Sequence, residues 1–231
     1  MIVLADGAGT AAWVLVLLAL AGGALGAVTG RALSGGGYRI ESDEAGVLPR
    51  LWWWPAPALA LLWAVVGWRI GDLAGWAALP AYLLFAWLAL GLVWIDADVH
   101  RLPHGLVLPA YPALLTLVVV ATAGLGQWSA LWRALACLAA LWVLYFVMHL
   151  ISPGSLGFGD VKLSGLIGLL MGWLGIAPAL VAVMAGFLVG GLIALVMLVG
   201  QRVGLRSHIA FGPSMLVGAF VALVVEYQLV A

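Results

Sequence analysis

Charged side chains are nearly missing from this sequence, at 8% of 231 residues against 66% hydrophobic. That balance excludes a water-soluble globular protein of this size, whose surface would need far more polar groups. The formal net charge is zero, so nothing points to a nucleic-acid partner. The single cysteine, Cys137, lies inside an apolar run. It excludes an internal disulfide and any C-x-x-C metal knuckle. Basic residues are absent from the first 30 positions, where Asp6 is the only charge. The beginning therefore does not read as a cleaved secretory signal, and the first apolar run is expected to stay in the mature protein. No hydrophilic stretch is long enough for a separate domain, and no internal repeat is visible. Residues 1–231 read as one integral membrane domain.

What fills the chain is apolar runs of membrane-spanning length. About 20 residues at 1.5 Å each cross the hydrocarbon layer. Eight spans are expected, at about 8–30, 51–69, 75–96, 105–124, 128–151, 159–173, 175–200 and 212–230. Gly and Pro punctuate the gaps, as in "SGGG" at 34–37 and "SPGS" at 152–155. The predicted fold is all-α and polytopic, with about eight transmembrane helices in a lipid bilayer. Alternate loops hold Arg31, Arg39, Arg50, Arg101, Lys162, Arg202 and Arg206, whereas the opposite side holds only Arg69 and Arg133. Basic residues near span ends stay in the cytoplasm, which puts both termini outside. Tryptophans at predicted ends, including "WWW" at 52–54, read as interfacial belts.

Most of the nine acids read as solvated loop or interface charge: Asp6, Glu41, Asp43, Glu44, Asp72 and Glu226. Three remain at the cytoplasmic edge. Asp96 and Asp98 lie in "VWIDADVHRLPHG", and Asp160 lies in "GSLGFGDVKLSG". An ionisable group at membrane depth is costly and points to function. Asp96 closes the third span and Asp160 opens the sixth, so they can meet at one depth. Two close carboxyl groups hold one proton between them. One can then take a proton from water while the other gives one to a peptide carbonyl, which is the chemistry of an aspartyl protease. Gly157 and Gly159 carry no side chain, so a substrate backbone can come close to Asp160. Ser164, Gly165 and Gly168 are expected to let the sixth span pack tightly. Gly186 and Gly190 form a GxxxG packing pair.

"IDADVHRLP" followed by "GFGDVKL" resembles the type IV prepilin peptidases, membrane aspartyl proteases of the GxGD type. Asp96 lies seven residues before Pro103, and Asp160 follows Asp96 by 64 residues. "IAFGPSMLVGA" at 209–219 is similar to the family's FGP segment. The resemblance implies that Asp96 and Asp160 are the catalytic pair, with Gly157, Gly159, Lys162 and Asp98 around the substrate. Asp98 sits about 200° from Asp96 around a helix, so it is not expected to share its job. The implied substrate is the basic leader of a prepilin or pseudopilin, cut at the cytoplasmic face of the inner membrane. Many members carry a cytoplasmic module with two C-x-x-C pairs and methylate the new N-terminus. Here that region is about residues 31–50 and has no cysteine, so peptidase activity alone is expected.

Two other readings use the same acids. Asp96, His100 and His104 are spaced i, i+4, i+8, as for a metal-dependent hydrolase. Pro103 breaks that helical face, so no metal and no cofactor are expected. A proton-coupled transporter would place its acids near mid-bilayer rather than at one edge. His149 and His208 read as helix-end and loop residues.

Overall fold

The computed structural model describes residues 11–39, 51–99, 104–151, 156–199 and 211–225. Among these are eight α-helices. They are α1 (Ala12–Ser34), α2 (Pro55–Leu73), α3 (Leu79–Val99), α4 (His104–Leu125), α5 (Trp128–Ile151), α6 (Phe158–Leu174), α7 (Ile176–Val199) and α8 (Gly212–Val224). Proline marks several starts. Pro55 is the first residue of α2 and Pro213 the second of α8, first-turn positions where the missing N–H costs nothing and the fixed φ suits the helix.

Five of the helices are long and apolar enough to cross a membrane: α1, α3, α4, α5 and α7. The outer faces of α1, α5 and α7 expose Leu, Val and Ile along their lengths, including Leu17, Leu20, Val143, Leu188 and Val196. A water-soluble protein does not carry continuous apolar faces of that extent. By contrast, α3 and α6 are the inner helices. Nearly every residue of α6 from Asp160 to Trp173 is buried.

Small residues explain how α6 gets so deep. A Cβ built on Gly168 would sit 2.9 Å from the Cα of Leu138. The backbone of α5 therefore runs directly against α6, as small-residue helix interfaces allow in lipid. Ser164 donates to the Leu141 carbonyl at 3.2 Å and to its own helix at Val161. The same device joins α1 to α2, where a Cβ on Gly22 would meet the Leu59 carbonyl at 2.8 Å. It also joins α7 to α8, where Gly186 and Gly190 lie against Met215, Phe211 and Ser214.

Helix α3 runs antiparallel to α6. The Tyr82 hydroxyl, in the first turn of α3, donates to the Leu170 carbonyl near the end of α6 at 2.7 Å. That direction points the last turn of α3 toward the end of the bundle where α6 begins. The last turn of α3 carries Asp96, and the first turn of α6 carries Asp160.

Two buried or half-buried arginines cap helix ends at the opposite edge. Arg133 donates to the carbonyls of Gly172 (2.8 Å) and Trp173 (2.6 Å) at the end of α6. Arg69 donates to Leu223 (3.0 Å) and Val225 (3.2 Å) at the end of α8. The last carbonyls of a helix have no intrahelical donor and carry partial negative charge, so a guanidinium satisfies both needs. Replacing Arg133 with Ala should remove about 1–3 kcal/mol of stability. A lower thermal unfolding midpoint in detergent is the expected result, and an unchanged midpoint would reject the capping role.

Candidate functional site

Asp160 is the third residue of α6. Gly157, the residue before the helix, adopts extended backbone (φ −70°, ψ 148°) and turns the chain into it. The Gly157 N–H donates to Asp160 Oδ2 at 3.1 Å. In return the Asp160 N–H donates to the Gly157 carbonyl at 3.0 Å. This reciprocal cap satisfies orphan groups of the first turn and fixes the Asp160 side chain. Gly159 lies half-buried in the same turn. The segment is held from behind by α5: His149 Nδ1 lies 2.7 Å from the Leu156 carbonyl. A carbonyl only accepts, so this nitrogen carries the proton.

Asp96 comes from the last turn of α3. Asp96 and Asp160 are both buried, at 4% and 7% exposure. They lie close enough for their charges to act on one another. The fold thus places within electrostatic reach of one another two carboxyl groups that stand 64 residues apart in the sequence. Tyr145 of α5 also lies within electrostatic reach of Asp160. Its ring stacks on Phe187 at 5.8 Å and leans on Phe211 at 6.4 Å. Phe211, Gly212 and Pro213 lie at the start of α8, so the Phe of the FGP segment joins the aromatic cluster around Tyr145.

The other predicted residues are placed differently. Lys162 is two positions beyond Asp160, hence about 200° around α6. It lines an apolar cleft of about 560 Å³ with Leu108, Tyr111, Trp142 and Phe158. Its ammonium lies 4.9 Å from the Phe158 ring centre, a cation–π distance. Asp98 is engaged by the segment after α1. Arg39 Nε donates to its Oδ2 at 2.9 Å, and Nη2 reaches both oxygens at 3.0 and 2.7 Å. The Tyr38 hydroxyl donates to the same Oδ2 at 2.5 Å.

Sequence reasoning left Tyr38, Trp94 and Tyr145 unremarked and gave Arg39 only a place in a basic loop. Arg39 and Asp98 are 59 residues apart, and no periodicity connects such a pair. The triple "WWW" contributes more than a belt, because Trp54 stacks on Trp94 with ring centres 5.4 Å apart.

No cluster of three metal-ligating residues occurs among the described residues. His100, Pro103, His208, Asp6, Glu41, Asp43, Glu44 and Glu226 lie outside the described residues, as do the side chains of Asp72 and His104.

A family model described as the type IV leader peptidase family matches residues 82–199. That is just over half of the chain, and it contains Asp96, Asp98, Gly157, Gly159, Asp160 and Lys162.

This chain belongs to the type IV leader peptidase family.

Several curated relatives are prepilin leader peptidase/N-methyltransferases. That of Stutzerimonas stutzeri is 34% identical over 178 residues, covering 75% of this chain and 58% of the relative. That of Neisseria gonorrhoeae is 33% identical over 163 residues, covering 70% and 53%. That of Pseudomonas aeruginosa is 33% identical over 172 residues, covering 72% and 55%. The chain thus spans little more than half the length of these relatives. No solved structure matches it. Membership in the leader peptidase family and the apolar helices together make it a multi-pass membrane protein.

Proposed function

We propose that this leader peptidase family member is an aspartic endopeptidase that removes the basic leader of a prepilin or pseudopilin. The observation that carries the reading is that Asp96 and Asp160, both buried, lie within electrostatic reach of one another at one edge of the bundle. A water held between the two carboxyl groups loses a proton to one of them and attacks the scissile carbonyl carbon. The protonated partner donates its proton to the carbonyl oxygen. Collapse of the tetrahedral intermediate returns a proton to the leaving nitrogen and splits the C–N bond. No metal or other cofactor enters these steps.

All eight helices cross the inner membrane in this reading, with both termini outside. The excess of Arg and Lys on one set of loops supports that orientation. The acids then lie at the cytoplasmic edge, where a basic leader would remain while its apolar helix enters the bilayer. Residues 1–231 act as a single peptidase domain, and the short cysteine-free stretch between α1 and α2 leaves no place for a zinc-type module. Gly157 and Gly159 give the substrate backbone access to Asp160, while Lys162 contacts substrate along the cleft of α4 and α5.

Co-expression with a prepilin tests the proposal. Loss of the leader, with mass spectrometry placing the cut immediately before the apolar helix and an unmethylated new N-terminus, is the expected result. A prepilin left intact by the folded, membrane-inserted chain would overturn it.

Gly157 offers a sharper check. Its φ and ψ suit any residue, so turn geometry does not require glycine. A Cβ there would lie 3.4 Å from Asp160 Oδ2, directly on the approach to the carboxylate. Gly157→Ala should fold like wild type and cleave about tenfold more slowly, because small displacements of reacting groups are expensive in rate. Wild-type cleavage would remove the access role.

A further inference from the structure

The proposed chemistry uses Asp96 and Asp160 and leaves the Asp98 cluster without a task. Asp98 is the more deeply buried partner of its ion pair, with its side chain 1% exposed against 30% for Arg39. A buried carboxylate persists only if it is paired and hydrogen-bonded. Here the guanidinium holds it in fork geometry, and the Tyr38 phenol adds a donor. Burial, then the bond to Asp98, push the Tyr38 phenol above its ordinary pKa, so it stays protonated and keeps donating.

The cluster continues into α3. Trp94 Nε1 donates to the Tyr38 hydroxyl at 3.2 Å, and Trp94 stacks on Trp54. Trp94 and Asp98 are four residues apart and lie one above the other on one helix face. Asp96 lies between them in sequence and points to the other side. Tyr38 and Arg39 therefore grip α3 from behind, at the turn whose front carries Asp96. The gripping segment is itself set by a turn: Gly36 has φ +71°, a conformation costly for other residues, and the Arg39 N–H bonds the Gly36 carbonyl at 3.0 Å.

We propose that Arg39 and Tyr38 are positioning residues: through Asp98 they pin the last turn of α3 and so hold Asp96 against Asp160. The inference rests on the reading of Asp96 as catalytic. A helix end without such a tie frays, since its last carbonyls lack partners. A loose last turn would spread Asp96 over many positions, and misplacement of about 1 Å can cost about a hundredfold in rate. Substrate binding away from Asp96 would be spared, so kcat should fall while KM holds.

The test uses the full chain in detergent with a purified prepilin. Arg39→Ala and Asp98→Asn should each lower kcat about 10–100-fold, with KM within about threefold of wild type. The double variant should be no slower than the slower single, because both remove one device. Arg39→Lys should recover part of the loss, and Tyr38→Phe, which removes one bond, should cost only about threefold. Amide exchange supplies a readout that needs no activity. Residues 92–99 should exchange at least about tenfold faster in Arg39→Ala, with α6 unchanged.

Unaltered exchange at 92–99 would overturn the proposal. So would a rise in KM at constant kcat, which would make Asp98 a substrate contact, or losses that add in the double variant. If wild type cleaves no prepilin, the peptidase reading fails, and exchange alone decides whether the anchor exists.

Discussion

Asp160→Asn and Asp96→Asn should each abolish leader removal, with kcat/KM lower by about a thousandfold or more. General acid–base groups typically supply about 10²–10⁴ in rate, and here the pair must also hold the attacking water. Asn is the informative replacement because Asp160 has two jobs. Its Oδ2 accepts the Gly157 N–H at the start of α6. The amide oxygen of Asn can accept that bond with nearly the same shape, whereas Ala would lose it and cost about 1 kcal/mol of helix stability. An inactive Asp160→Asn protein with wild-type thermal unfolding therefore separates chemistry from capping. The double variant Asp96→Asn/Asp160→Asn should be no slower than either single, because residues acting as a unit lose their effect together. Cleavage of a purified prepilin, followed by gel shift, reads all three. Cleavage by either single variant at more than about a tenth of the wild-type rate would rule out the pair as the catalytic groups.

The largest expected effect on stability lies eight residues further along α6. Gly168→Val should destabilise the bundle by about 3 kcal/mol, the upper part of the range for overpacking. The reason is that the obstacle is backbone. A Cβ at 168 would lie 2.9 Å from both the Cys137 carbonyl carbon and the Leu138 Cα, and neither can rotate away. The two helices would have to separate along their interface, which would also disturb the turn that carries Asp160. Gly91 supplies the control, since a Cβ there meets nothing within 4 Å. Gly91→Ala should be neutral or slightly stabilising through helix propensity. Thermal unfolding in one detergent compares them. Equal midpoints for the Gly168 and Gly91 variants would show that close packing of α5 on α6 does not govern stability.

The apolar runs located the helices closely where turn residues bound them on both sides. The expected span at 128–151 matches α5 residue for residue, and 105–124 and 159–173 each differ from α4 and α6 by one residue at each end. The starts of the second and third spans are four residues late in the structure. Apolarity cannot see that "LWWW" at 51–54 precedes the helix, nor that α2 begins at Pro55. Trp and Leu satisfy a hydropathy count in a turn as well as in a helix.

The sequence by itself determined that this chain is a helical membrane protein with three acids gathered toward one edge. It did so because lipid tolerates only long apolar helices and makes every carboxylate conspicuous. It also placed Asp160 at the opening of a helix, where the sixth apolar run begins. The tertiary structure alone decided what Asp98 meets. Asp96 and Asp98 are two residues apart and chemically identical, yet helical rotation turns one toward Asp160 and the other toward Arg39 and Tyr38. That choice depends on how α1, α3 and α6 pack, and packing is a property of surfaces in space that no local pattern encodes.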